Sequence, residues 1–507
     1  MRRARAAGFG TAENRSERNR SQGNRKQENS ENRAAENRNR GERDSVEQTG
    51  TQNRENPLGY AEPRQLLRQF AIPSIISMTV INLYNLVDQI FIGWKVGMLG
   101  NAATNVAFPL TTICMALSLL IGIGYSARYG LELGRKHPEI AERTVGNAVL
   151  IALLCGLGVL AAAELWLLPL LKAFGATPSV LPYSVTYVRI TAVGFPALIL
   201  GNVLSTLIRA DGSPRFSMIC TLVGCLTNIA LDPIFMFGFG MGVDGAAKAT
   251  VISQFLGLVI SIPYFFHMKQ VHLGRGAFRP DLKLNGRNLS LGLSNCFTQL
   301  AITLVQIVMN NSLTYYGALS VYGAEIPLTA FGIVMKVNSI VMGFFVGIAQ
   351  GGQPIYSFNY GAEKYGRVKT VYRMAIRTSF VISVAAFAAF EVFPRQILSI
   401  FGTGSPLYFQ FAVRFMRIFL CMVLVNGIQL ITSNFFSAIA MPWKGTVLAL
   451  CRQTFFLIPL ILILPRFFGV EGLMYTGPVA DLIAAAASLL LVRHEFRTMG
   501  TGDPQAS

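Results

Sequence analysis

The chain has 507 residues, of which 52% are hydrophobic and 14% charged, and a formal net charge of +18. A soluble domain carries about 25% charged residues, so an assembly of soluble domains is excluded. The basic excess would suggest nucleic acid in a soluble chain. Here the cations sit between long apolar stretches such as 71–92 and 148–171, and no nucleic-acid partner is expected.

In chain order, residues 1–57 come first, rich in Asn, Arg, Glu, Ser and Gln and nearly free of large apolar side chains. Such a segment cannot bury enough surface to offset its ordering entropy, and it reads as a disordered polar tail. No apolar stretch follows its basic start, so it is not a signal peptide. From Leu66 the pattern changes. Apolar segments recur at 66–94, 101–127, 145–171, 180–207, 215–238, 245–267, 288–316, 326–352, 371–393, 406–438, 444–464 and 470–492. A bilayer core of about 30 Å needs roughly 20 helical residues, and its backbone groups must be paired within the segment. These are twelve predicted transmembrane helices. With a cytoplasmic N-terminus, the inner connections hold 17 Lys and Arg and the outer ones 5. That bias places both termini, including a short tail at 496–507, on the cytoplasmic side of the cell (inner) membrane.

The halves repeat. GVDG at 242–245 answers GVEG at 469–472, YVRI at 187–190 answers FMRI at 415–418, and 133–149 parallels 360–376. The constant offset predicts two bundles of six helices, residues 58–275 and 276–495, in one orientation. Parallel repeats of this kind are a transporter plan with the pathway between the halves.

Ionisable groups in mid-span are costly and point to function. Asp88 and Asp232 stand out, and neither recurs in the second half, where Tyr315 and Pro459 hold the matching positions. This asymmetry predicts an ion site in the first half. Asn228 lies one turn from Asp232 on the same helical face. Pro233 then removes an amide from the ladder and frees a carbonyl. Lys336, Arg452 and Asp481 also sit in apolar segments; Asp481 could pair with Arg452 across the last two spans. The seven cysteines form no CxxC pair and read as packing residues. The four histidines fall in or beside connections. Neither histidine boxes nor nucleophile motifs support an enzyme, and no Walker sequence supports ATP as driving force. No cofactor is expected; the energy would come from a gradient of H⁺ or Na⁺, or of the substrate itself.

Three segments together, PSIISMTVINLYNLVDQIFIGW (73–94), RADGSPRFSMICTLVGCLTNIALDPIFMF (209–237) with GMGVDGAAKATVISQ (240–254), and GIAQGGQPIYSFNYGAEKYGRVK (347–369), carry a likeness. Through them the chain resembles the multidrug and toxic compound extrusion (MATE) family, in its DinF-like bacterial branch. The resemblance covers roughly residues 60–495. It implies an all-α membrane protein of twelve helices, in two pseudo-symmetric six-helix bundles about a V-shaped central cavity. It also implies a cation-binding and coupling site at Asp88, Tyr187, Asn202, Asn228, Asp232 and Thr250, with Na⁺ a candidate at Asp88, Asn228, Asp232 and Thr250. The NorM-like branch adds acids in the second bundle. Here the seventh span offers Gln299, Gln306, Asn310 and Asn311 and no carboxylate, so that second site is not expected. The implied function is a monomeric secondary antiporter that exports drug-like, often cationic or lipophilic, compounds in exchange for H⁺ or Na⁺. The alternative expectation is a flippase for lipid-linked oligosaccharide, which would need a strongly cationic cavity.

Overall fold

Proline sets the start of many helices. It opens or nearly opens six of the long ones, where its missing amide would have no partner in any case. The computed structural model describes residues 56–400 and 405–500. The short helix Pro57–Tyr60 precedes the body of the protein, and the polar tail expected at 1–57 lies outside the described residues but for its last two.

From Ala61 the described chain forms one unit. Its long helices are α1 (Pro63–Val96), α2 (Met98–Gly134), α3 (Pro138–Leu165, continued by Leu167–Ala173), α4 (Leu181–Ala210) and α5 (Pro214–Pro233, ending in a π-turn at Ile234–Gly238). They continue with α6 (Val243–Phe266), α7 (Leu282–Ala318), α8 (Glu325–Gly361) and α9 (Tyr365–Val392). α10 has two pieces, Pro406–Phe419 and Val423–Ala438. α11 runs through Pro442–Leu450, a π-turn Cys451–Leu457 and Ile458–Phe468, and α12 is Gly472–Thr498. Asp281 caps α7 by accepting from the Lys283 and Leu284 amides at 3.1 and 3.0 Å, and Ser405 caps α10 through the Tyr408 amide, each pairing an amide that the helix leaves free.

Ten helical runs among the described residues are long and apolar enough to cross a membrane, eleven with the bent α10. The run Pro442–Thr498 has 57 residues, about 85 Å at 1.5 Å per residue, nearly three times a bilayer core. Its limbs, α11 and α12, pack on each other about the turn at Gly469, whose φ of 61° suits glycine. It is therefore two crossings, and the spans number twelve.

The expected boundaries need correction at several spans. α7 and α8 are each 37 residues and run past the apolar core toward the basic connections. The third span starts at Pro138 and stops at Leu165. The tenth, expected as one helix over 406–438, bends by 50° at its break. There Cys421 donates to Ile418 O and Val423 to Leu420 O, three residues back, which tightens the turn and redirects the chain.

Two apolar cores form. One gathers Leu110, Tyr129, Val145, Phe195 and Leu207 from α2, α3 and α4. The other gathers Met309, Phe331, Phe415, Met416 and Leu473 from α7, α8, α10 and α12. Between the first six spans and the last six, α2 packs on α7 and α1 on α8. A methyl carbon on Gly292 would lie 1.9 Å from the Leu120 carbonyl oxygen, so only glycine allows α7 this close to α2. Hydrogen bonds between spans of the two halves include Tyr125 Oη to Asn285 Oδ1 (2.8 Å), Gln353 Nε2 to Ile123 O and Ser126 Oγ (both 3.0 Å), Arg209 Nη1 to Gln350 Oε1 (2.6 Å), and Asn82 Nδ2 to Ser339 O (2.9 Å). Tyr125, Ser126, Arg209, Asn285, Gln350 and Gln353 lie toward the basic connections, and Asn82 with Ser339, near the middle of α1 and α8, marks the farthest reach of these bonds.

Candidate functional site

Asp88 sits in the farther third of α1, and Asp232 ends the regular part of α5. α1 packs directly on α5. Asp232 is fully buried, Asn228 is 1% exposed, and Asp88 is half-buried. The two carboxyl groups lie close enough to interact directly. Asn228 Nδ2 bridges Thr250 Oγ1 on α6 at 3.3 Å and Asp232 Oδ1 at 3.5 Å. Tyr84 and Tyr187 lie within electrostatic reach of both acids. The helix that brings Asp232 inward does not continue as a regular α-helix: after Pro233 the backbone opens into the π-turn, a distortion that recurs at functional sites.

Neither acid has an ion-pair partner among the described residues. Asp88 Oδ1, Asp232 Oδ2 and Asn228 Oδ1 are buried oxygens without a donor. Enclosed charge without compensation costs several kcal/mol per ion. Three orphaned oxygens, two of them carboxylate, fit a hard cation such as Na⁺, which takes oxygen ligands, and equally fit a shared proton.

Of the residues expected here, Asp88, Tyr187, Asn228, Asp232 and Thr250 converge. Asn202 points its amide to Met115 Sδ on α2 at 3.6 Å rather than to either acid. Tyr84 is the neighbour that the sequence reading passed over; it lies one turn before Asp88, and that spacing is the signal that could have found it. α7 carries no carboxylate, as read.

The family MatE matches residues 73–234 and 295–463, both halves of the chain and most of its spans. The chain belongs to the MatE family. Membership makes it a transporter, not an enzyme. Multidrug export protein MepA of Staphylococcus aureus is 25% identical over 427 residues, 84% of this chain and 92% of that protein. The same-named protein of Staphylococcus saprophyticus is 24% identical, over 87% and 96%. Among solved structures, an outward-facing multidrug resistance MATE transporter of the MOP superfamily superposes with a TM-score of 0.82 at 22% identity, covering 87% of this chain and 98% of that one. A MOP superfamily transporter from Pyrococcus furiosus gives 0.81 at the same identity. These likenesses establish the fold: the chain is a twelve-helix MATE protein.

Two other polar clusters frame the site in this MatE chain. Asp211, between α4 and α5, accepts from Tyr129 Oη (2.6 Å), Tyr264 Oη (2.8 Å), the Lys269 amide (2.7 Å) and the Gln270 amide (3.1 Å). Burial pushes this carboxyl above its ordinary value, against the opposing pull of its donors. In the second half Arg452 Nε donates to Asp481 Oδ1 at 2.6 Å, the pairing that the sequence suggested.

Proposed function

We propose that this MatE protein is a secondary antiporter that exports small drug-like compounds, often cationic or lipophilic, in exchange for H⁺ or Na⁺. The observation that carries the reading is the pair of acids, Asp88 and Asp232, enclosed in the first half without a counter-cation and with oxygens left unpartnered. The relatives named for multidrug export support the substrate class.

When the pair is ionised, its uncompensated charge favours a cationic or polarisable guest in the adjoining space. When H⁺ or Na⁺ neutralises it, that preference vanishes and α1, which carries Asp88 against α5, is free to repack. Binding of ion and of drug are then linked, and by reciprocity each lowers the other's affinity by the same factor. The available work suffices: about 2.3 kcal/mol per charge per 100 mV and about 1.4 kcal/mol per pH unit. With the basic connections in the cytoplasm of the cell membrane, the contacts between the halves close the inner side. The first two-bundle boundary, 58–275 against 276–495, is the natural moving division, and a monomer suffices because the site lies within one chain.

The flippase alternative would need several cations converging between the halves. Arg209 is already engaged with Gln350 and Ser74, and Lys336 alone does not make a pyrophosphate cradle.

The test is reconstitution in vesicles with ethidium trapped on one side, followed by a pH jump or a Na⁺ jump. Dye movement driven by one of the jumps is expected. Movement that ignores both, at equal protein content, would remove antiport.

A further inference from the structure

The stripe of α8 that faces α1 can be followed residue by residue. A methyl carbon on Gly351 would lie 2.6 Å from Ala71 Cα, and one on Gly347 would lie 2.6 Å from Ile75 Cα. Gly343 meets Met78 and Asn82, and Ser339 O accepts from Asn82. The next residue on this face, one turn on, is Lys336. It is exposed, and its ammonium group has no hydrogen bond or ion pair among the described residues. α8 is surrounded by α1, α2, α7, α9 and α10, so its exposed stripe looks into the gap between the halves rather than into lipid. Lys336 also lies 11 residues inside the start of α8 at Glu325, about 16 Å along the axis. That exceeds the reach of its side chain to the membrane surface. A lysine retained at such depth is a functional candidate.

The wall around Lys336 is rich in donors and free of acids. On α7, the face that meets α2 at Gly292 continues through Gln299, Gln306 and Asn310. α7 and both pieces of α10 contain no Asp or Glu, and α8 has only Glu325 at its first residue. On α1 the stripe that faces α8, Ala71, Ile75, Met78 and Asn82, continues to Gln89, while Asp88 turns from it toward Asp232 of α5. The second half therefore lines the gap with a lysine and neutral amides, and the acid pair lies in the first half.

We propose that Lys336, with the amides of Gln306 and Asn310 on the neighbouring helix, forms an anion-binding subsite, and that the preferred guests carry a carboxylate beside their apolar, cationic body. This rests on the export reading for the identity of the guest as a small organic compound, but not on its being driven by an ion. A zwitterion suits both halves, its carboxylate on Lys336 and its cation on the side that carries the acid pair. A purely cationic guest leaves Lys336 uncompensated. An ammonium donor to carboxylate in a partly desolvated gap is a strong hydrogen bond.

Equilibrium binding of rhodamine B, which bears a free carboxylate, and of its ethyl ester, which does not, separates these cases in purified full-length protein. Wild-type protein is expected to bind the acid the tighter. Lys336→Gln should weaken the acid about tenfold, the scale of one charge-assisted hydrogen bond, and leave the ester within about twofold. Lys336→Arg should retain the acid, and Lys336→Glu should invert the preference. Lys336→Met gives the same comparison should the Gln variant fail to fold. Equal tightness of the two dyes in wild-type protein, or equal weakening of both by the substitution, overturns the proposal. Because no gradient is applied, discrimination at Lys336 without ion-driven transport would contradict the antiport reading alone.

Discussion

Asn228 holds one amide between two oxygens of different helices, Asp232 Oδ1 and Thr250 Oγ1, and leaves its own carbonyl oxygen without a donor. Leucine has the same γ-branched shape, a larger volume and no oxygen. Asn228→Leu is therefore expected to weaken the coupling ion about tenfold, on the order of one lost polar ligand at about 1.4 kcal/mol. Drug binding in the absence of that ion should change little; titrating bound ethidium with acid or NaCl measures both. In the second half, Arg452 and Asp481 pose the opposite case, a buried pair already compensated. Arg452→Ala should lower stability by about 3–5 kcal/mol, since an unpaired buried carboxylate remains. Arg452→Met with Asp481→Leu together should recover most of it, read as thermal unfolding in detergent. Asp88, Asp232, Arg452 and Asp481 were all legible in the sequence because charge is conspicuous in an apolar span. Tyr84 was passed over: a neutral polar residue in such a span is common, and its one signal was its place a turn before Asp88.

At the scale of elements, the closed end depends on α4, whose buried Arg209 reaches α8 and α1 through Gln350 and Ser74. No acid compensates this guanidinium among the described residues, so its hydrogen bonds hold it. The bond to Gln350 exists only while the halves are together. Arg209→Ala should therefore favour the conformation open at the basic end, by about 1.5–3 kcal/mol for bonds to a charged group. The measure is faster thiol labelling of a cysteine introduced at Ser74, in an otherwise cysteine-free chain; unchanged labelling would contradict it. Asp211 ties α2, α6 and the connection after α6 to the turn between α4 and α5, and Asp211→Ala would strand four donors. A stability loss of roughly 3 kcal/mol or more is expected, again read by thermal unfolding. The motif RADGSP was legible as part of a segment that carries the family likeness, but its role as a hub was not, because Tyr129 and Tyr264 lie far from it in sequence. The break in α10 was hidden for another reason: residues 420–422 contain neither proline nor glycine, and tertiary packing alone selects the tighter turn.

For the whole molecule, twelve spans, their repeat and the uneven charge of their connections could be read before any coordinates, since bilayer thickness forces long apolar runs. Which helices meet across the halves, and how far the contacts extend, could not be read. That depends on small residues such as Gly292 and Gly347, whose meaning appears only when Leu120 or Ile75 is found against them. The resulting molecule is asymmetric in function although repeated in form. The first half holds an uncompensated acid pair able to take up an ion, and the second holds a pair that supplies its own cation. On the antiport reading proposed above, alternation between open ends turns on whether Asp88 and Asp232 are neutralised. The most direct measurement adds ethidium to purified protein in weakly buffered solution and records the ion released, with a pH electrode or a Na⁺-selective one. Wild-type protein should release H⁺ or Na⁺ as dye binds, and Asp88→Asn and Asp232→Asn should each abolish the release. Release of the same size from both variants, or dye binding by the wild type with no ion released, would contradict the account.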